Sequence, residues 1–228
     1  MLQEGKATEA SMESRLNYRN RHALIERILR KAESGASLES ISRYLGQSQG
    51  KTGSELRRLH EWGMLRQDGT AYATTDKGRG YGSAVGIMNG ILDRRHSPEE
   101  IPGLVSRIES LIPGQRQSIY DYGNLSPNGG GRQAKKDILA RSRINMTHDV
   151  LTAMASSPMT RNGIRRITRF DTTPEGNMEL ELLMESLISN KLIMRANAHQ
   201  ITTEAYRITD NGWKVKGALG SIISATSA

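Results

Sequence analysis

The chain has 228 residues and no cysteine; 32 Lys and Arg against 24 Asp and Glu give a formal net charge of +8, and aromatic residues make up only 4%. That length makes one or two domains able to fold without disulfides or structural metal, and the missing thiols exclude cysteine nucleophiles, zinc fingers, Fe–S clusters and disulfide frameworks. So few rings argue against a single-strand binder that stacks bases on aromatic platforms.

No run approaches 18 apolar residues, and the first twenty lack the apolar stretch of a secretory signal, so a cytoplasmic, nucleoid-associated protein with no membrane partner is expected. The basic balance favours a polyanionic partner, of which nucleic acid is the commonest inside cells.

Residues 1–19 read as a loose polar arm. From Arg21, Leu24, Ile25, Ile28, Leu29 and Ala32 make one helical face, with Gly35 as a stop. Ser37 caps a second helix, with Leu38, Ile41 and Leu45 inward and Gly46 ending it. A third runs from about Gln49 to Trp62 with Leu56 and Leu59 inward, and the stretch Leu65 to Thr75 reads as a hairpin turning at Gln67-Asp68-Gly69. Three helices and a hairpin make a winged helix-turn-helix.

The order recurs. Leu56-x-x-Leu59 before Gly63-Met64-Leu65 returns as Met184-x-x-Leu187 before Lys191-Leu192-Ile193, 128 residues on. Tyr72-Ala-Thr-Thr75-Asp76-Lys77-Gly78 returns as Tyr206-Arg-Ile-Thr209-Asp210-Asn211-Gly212 at 134, which makes the second hairpin six residues longer. Val150, Leu151, Met154 and Ala155 match the first helix, Met159 to Phe170 the second, and Thr173-Pro174-Glu175 opens the third.

The expected fold is therefore mainly α with small β-hairpin wings: a first winged helix-turn-helix domain at 20–92, a linker at 93–145, a second such domain at 146–217 and a tail at 218–228. Within the linker, Ser97-Pro98-Glu99-Glu100 starts an amphipathic helix over 97–112. Its stripe of Ile101, Leu104, Val105, Ile108 and Leu111 is expected to organise a homodimer or join the two domains. After it come a flexible Asn128-Gly-Gly-Gly-Arg132 spacer and a basic run of Arg132, Lys135, Lys136, Arg141 and Arg143.

A third helix of this kind enters the major groove, whose base edges carry a donor and acceptor code. With Leu56 and Leu59 inward, the outward face offers Gln49, Lys51, Ser54, Arg57 and Arg58, and no acid is expected to interrupt it before Glu61. Arg suits guanine and Gln adenine, while Lys and Ser suit phosphate oxygens. Arg66 and Gln67 on the wing are expected to reach the backbone or the minor groove. In the second copy the third helix carries Glu175, Glu179, Glu181 and Glu185, which repel phosphates. That copy either grips the backbone through Arg161, Arg165, Thr173, Asn177, Arg195 and His199 or binds a protein.

Gly46-Gln-Ser-Gln-Gly50-Lys51-Thr52 imitates a phosphate-binding loop but has three residues between its glycines where the motif needs four. No His pair has metal spacing and no carboxylate pair is framed for acid–base work, so neither an enzyme nor a cofactor is expected.

Leu56-Arg-Arg-Leu59-x-x-x-Gly63-Met-Leu65 followed by Tyr72-x-x-Thr75-Asp76-Lys77-Gly78 resembles small winged-helix transcription regulators common in archaea and on mobile elements. The likeness covers residues 20–82 well and 146–217 more loosely. It implies a dimeric regulator of duplex DNA and carries groove contact onto the 49–58 face. A partition, replication or chromosome-organising DNA binder and a winged-helix protein adaptor are the alternatives.

Overall fold

The structure, a computed structural model, describes residues 21–112, 142–168, 174–196 and 204–226. The expected arm at 1–19, the glycine-rich spacer, the basic side chains at 132, 135, 136 and 141, and Thr173 and His199 lie outside these residues. The described part is mainly helical and adds two three-stranded antiparallel sheets. Two compact units divide it: residues 21–85 with Ser142 in the first, and residues 86–112, 143–168, 174–196 and 204–226 in the second.

In the first unit, helix α1 (Arg21–Lys31) buries Ile25, Ile28 and Leu29. Strand β1 (Ala36–Ser37) follows, and the Ser37 hydroxyl caps helix α2 (Leu38–Leu45) by accepting the Ser40 N–H at 3.2 Å. Helix α2 ends at Gly46, whose φ of 65° lets the Gln47 N–H reach the Ser42 carbonyl at 3.0 Å. Helix α3 (Gln49–Glu61) starts three residues later. The glycines of the phosphate-loop lookalike are thereby accounted for: Gly46 closes one helix and Gly50 opens the next.

Strands β2 (Leu65–Asp68) and β3 (Ala71–Thr74) pair with Asp68 opposite Ala71, so the turn is Gly69–Thr70 and not Gln67-Asp68-Gly69. Gly69 takes φ 59°, which two-residue hairpin loops favour glycine for. Strand β1, too short to leave a sequence signal, pairs with β3 and gives the order β1-β3-β2. Helix α4 (Asp76–Leu92) begins directly after Thr75, which caps it by accepting the Gly78 N–H at 3.1 Å. The unit boundary falls inside α4, after Val85.

The second unit holds the end of α4, then helix α5 (Ile101–Leu111), helix α6 (Arg143–Ala153), strand β4 (Met159–Thr160), helix α7 (Arg161–Thr168), helix α8 (Pro174–Ser189), strands β5 (Ile193–Ala196) and β6 (Ala205–Ile208), and helix α9 (Asp210–Ser224). Its sheet order, β4-β6-β5, repeats that of the first sheet. The linker helix is shorter than expected, since residues 98–100 form a turn and the Glu100 carboxylate is spent on the Ser97 N–H at 2.7 Å.

The repetition extends to single hydrogen bonds. Thr75 Oγ donates to the Gly63 carbonyl at 2.7 Å, and Thr209 Oγ donates to that of Lys191 at 2.6 Å, with 191 − 63 = 128. The Thr75 N–H reaches Met64 O at 3.1 Å, and the Thr209 N–H reaches Leu192 O at 3.0 Å. A Cβ on Gly78 would stand 2.2 Å from Met64 O, and one on Gly212 would stand 2.1 Å from Leu192 O. Only glycine lets the helix start approach the strand so closely, which is why Thr-Asp-x-Gly recurs at an offset of 134.

Candidate nucleic-acid interface

Three side chains aim α3. Thr52, Leu56 and Leu59 lie at i, i+4 and i+7, and all are fully buried. The opposite side then faces solvent, and Gln49, Lys51, Ser54, Arg57 and Arg58 are all exposed, as the inward pair predicts. Lys51 and Arg57 have no hydrogen-bond or ion-pair partner among the described residues, so both cations are open to an anion.

Two members of the predicted set are differently placed. Arg58 donates to Glu55 at 3.0 Å, and Glu55 is half-buried at the edge of the same face. The expectation of a face free of acid before Glu61 is therefore corrected. Glu55 sits four residues after Lys51, one turn along the same edge and just inside the outermost stripe. The Ser54 hydroxyl donates to the Gly50 carbonyl at 3.0 Å, as mid-helix serines do, so its proton is not available to a phosphate.

On the hairpin, Arg66 is exposed on β2, while the Gln67 amide folds back on the Gly69 carbonyl at 3.0 Å. Lys77 donates to the Trp62 carbonyl at 2.7 Å, at the end of α3. A cation–aromatic cluster that sequence reasoning missed lies across α1 and α2: Arg27 and Lys31 stand 5.3 and 5.7 Å from the centroid of the Tyr44 ring. Their spacing of four on α1 was the available signal.

The second unit places its predicted cations against its own acceptors. Arg161 pairs with Glu181, Arg165 donates to Asn177 Oδ1 at 2.9 Å, and Arg195 stands 3.3 Å from Glu204. Its helix α8 occupies the position of α3, with the offset of 128 fixed by the equivalent turns at Gly63 and Lys191. Lys51 then corresponds to Glu179, Ser54 to Leu182 and Arg57 to Glu185. Helices α1 and α6 align at 122, Ile28 and Leu29 matching the equally buried Val150 and Leu151, and there Arg27 becomes Asp149. Three cations of the first unit are thus acids in the second.

One flank of α8 is also occupied. Ser186 donates to Leu92 O at 2.7 Å and Asn190 to Ile91 O at 2.9 Å, while Arg143 donates to Leu92 O at 2.6 Å and pairs with Asp93. Ser186 and Arg143 thus satisfy the Leu92 carbonyl that the end of α4 leaves open, and Asn190 joins the Arg94 N–H on that of Ile91. Ser186 stands where the first unit has the exposed Arg58.

The apolar stripe of α5 is satisfied at home. Ile101, Val105 and Ile108 are buried and Leu104 and Leu111 half-buried, with α5 packed on α9, whose Val215, Ala218, Leu219 and Ile222 are buried in turn. The stripe packs within its own unit. Burial holds His148 of α6, beside Gly220 of α9, at a pKa of about 4, down from 6.5, with the nearby Lys216 charge acting in the same direction.

Among the described residues no group of three His, Asp or Glu could hold a metal ion, and no helix is long and apolar enough to cross a membrane. No protein-family model, curated protein or solved structure matches this chain.

Proposed function

We propose that the chain is a double-stranded DNA-binding protein built from two winged helix-turn-helix units, and that it regulates transcription by reading the major groove with α3 of the first unit. The observation that carries this reading is the outward face of α3, where Lys51 and Arg57 stand exposed and uncommitted beside Gln49 and Arg58. The order helix, strand, helix, helix, hairpin supports the fold, since it puts α3 behind a short turn and a hairpin beside it. Lys51 then holds phosphate, Arg57 and Gln49 read base edges, and Arg66 on the hairpin reaches the neighbouring backbone. Arg58 is held by Glu55 and contributes less.

The test is a duplex-binding titration across salt concentrations, comparing the natural chain with the Lys51→Ala/Arg57→Ala variant. Each neutralised phosphate adds about 0.9 to the log–log salt slope, so loss of the Lys51 contact makes it shallower by roughly 1, and losing it together with the Arg57 base contact weakens binding about tenfold or more. An unchanged slope and affinity would remove α3 from the interface.

A further inference from the structure

We infer that α8 of the second unit is a docking face for a basic amphipathic helix of a protein partner. Helix α8 shows solvent a stripe of Met178, Leu182, Glu185 and Ser189 at i, i+4, i+7 and i+11, which is one line along a helix. Met178 is 58% exposed and Leu182 is 61% exposed, the two most open large apolar side chains among the described residues. Six of the seven such side chains lie in the second unit, and only Tyr44 belongs to the first. Adjacent exposed apolar residues on one helix, ringed by charge, mark an interaction surface.

The charge around the stripe selects the occupant. Glu179 lies on one side of Met178 and Leu182 and Glu181 on the other, while Glu185 lies in line with them one turn beyond Leu182. Arg161 neutralises Glu181 alone, while Glu179 and Glu185 have no ion-pair partner among the described residues. Duplex DNA is repelled by such a rim, and a second α8 would bring glutamates against glutamates. An incoming helix with leucines on one face and Lys or Arg on its flanks satisfies both halves of the pattern, apolar to apolar and base to acid. The same scaffold position carries Lys51, Ser54 and Arg57 in the first unit, so the two copies present opposite chemistries from one architecture. This inference stands independently of DNA binding by the first unit.

The test titrates the full chain against a synthetic amphipathic helix with leucines on one face and lysines on both flanks, and against the same helix with glutamates for lysines. A net charge of +8 draws the glutamate helix to the chain as a whole, so preference for the lysine helix reports the local rim. We expect the lysine helix to bind about tenfold more tightly or better than its counterpart. Met178→Ser/Leu182→Ser should abolish that binding, and Glu179→Lys/Glu185→Lys should reverse the preference, with circular dichroism unchanged because all four side chains are exposed. Equal binding of the two helices, or binding indifferent to these variants, overturns the proposal. So does loss of duplex affinity in the Met178/Leu182 variant, which would make α8 a DNA surface. Self-association abolished by the same variant would give the face to a second copy and also overturn it.

Discussion

Lys191 sits where the first unit has Gly63, and it carries the same left-handed backbone, φ 52° against 69°. A side chain there costs roughly 1 kcal/mol, because Cβ crowds the following carbonyl. Among the described residues the only side-chain bond it has in return is an exposed ion pair with Glu99 at 3.1 Å, and such pairs contribute little. Lys191→Gly should therefore raise stability by about 0.5–1 kcal/mol, read as a higher midpoint in denaturant unfolding. A lower midpoint would show that the Glu99 contact outweighs the backbone strain.

His148 makes the second unit sensitive to acid. Its folded pKa of about 4 lies below the unfolded 6.5, so the unfolded chain takes up the proton first. Stability is full above pH 6.5 and falls as pH drops toward 4, by about 3 kcal/mol at that group. His148→Gln should flatten the dependence of unfolding free energy on pH across that window. The exposed α3 set was legible in the sequence because two leucines fix which way a helix points. Glu55 and the Ser54 back-bond were not, because both depend on a neighbour one turn away on the same helix.

Each hairpin is closed by a threonine that caps the next helix and bonds back to the preceding turn, with a glycine where a Cβ would meet a carbonyl near 2 Å. Gly78→Ala should destabilise the first unit and Gly212→Ala the second, each by at least about 2 kcal/mol, since backbone has to move to admit the methyl. Hydrogen exchange resolved by segment checks that each loss stays in its own unit. Equal loss across both would mean that they unfold together.

The helices and hairpins were readable from apolar spacing and from the repeated Thr-Asp-x-Gly. The two-residue strands β1 and β4 were not, because their pairing is set by β3 and β6 far along the chain. The α5 stripe was visible as a stripe, but spacing alone does not say whether a neighbour or a partner covers it. Packing on α9 decides that.

Across the whole molecule, the sheet order recurs while charge is inverted at three matched positions. Lys51, Arg57 and Arg27 become Glu179, Glu185 and Asp149, and the aromatic Tyr44 of α2 is matched on α7 by Ile167. An anion is attracted by the first pattern and repelled by the second, so the matched positions of the two units offer an anion opposite charge. The acidity of the second third helix was legible in the sequence. That it frames an apolar stripe emerged only once the buried residues Leu180, Leu183, Met184 and Leu187 fixed which side of α8 remains open.

The most direct measurement is selection of the purified chain against a random pool of duplex DNA at near-physiological salt, repeated with the Lys51→Ala/Arg57→Ala variant. We expect an enriched motif for the natural chain and loss of that enrichment in the variant, with Glu179→Lys/Glu185→Lys leaving the motif unchanged. Failure of the natural chain to retain or enrich any duplex, or an identical motif from the Lys51/Arg57 variant, would contradict that expectation.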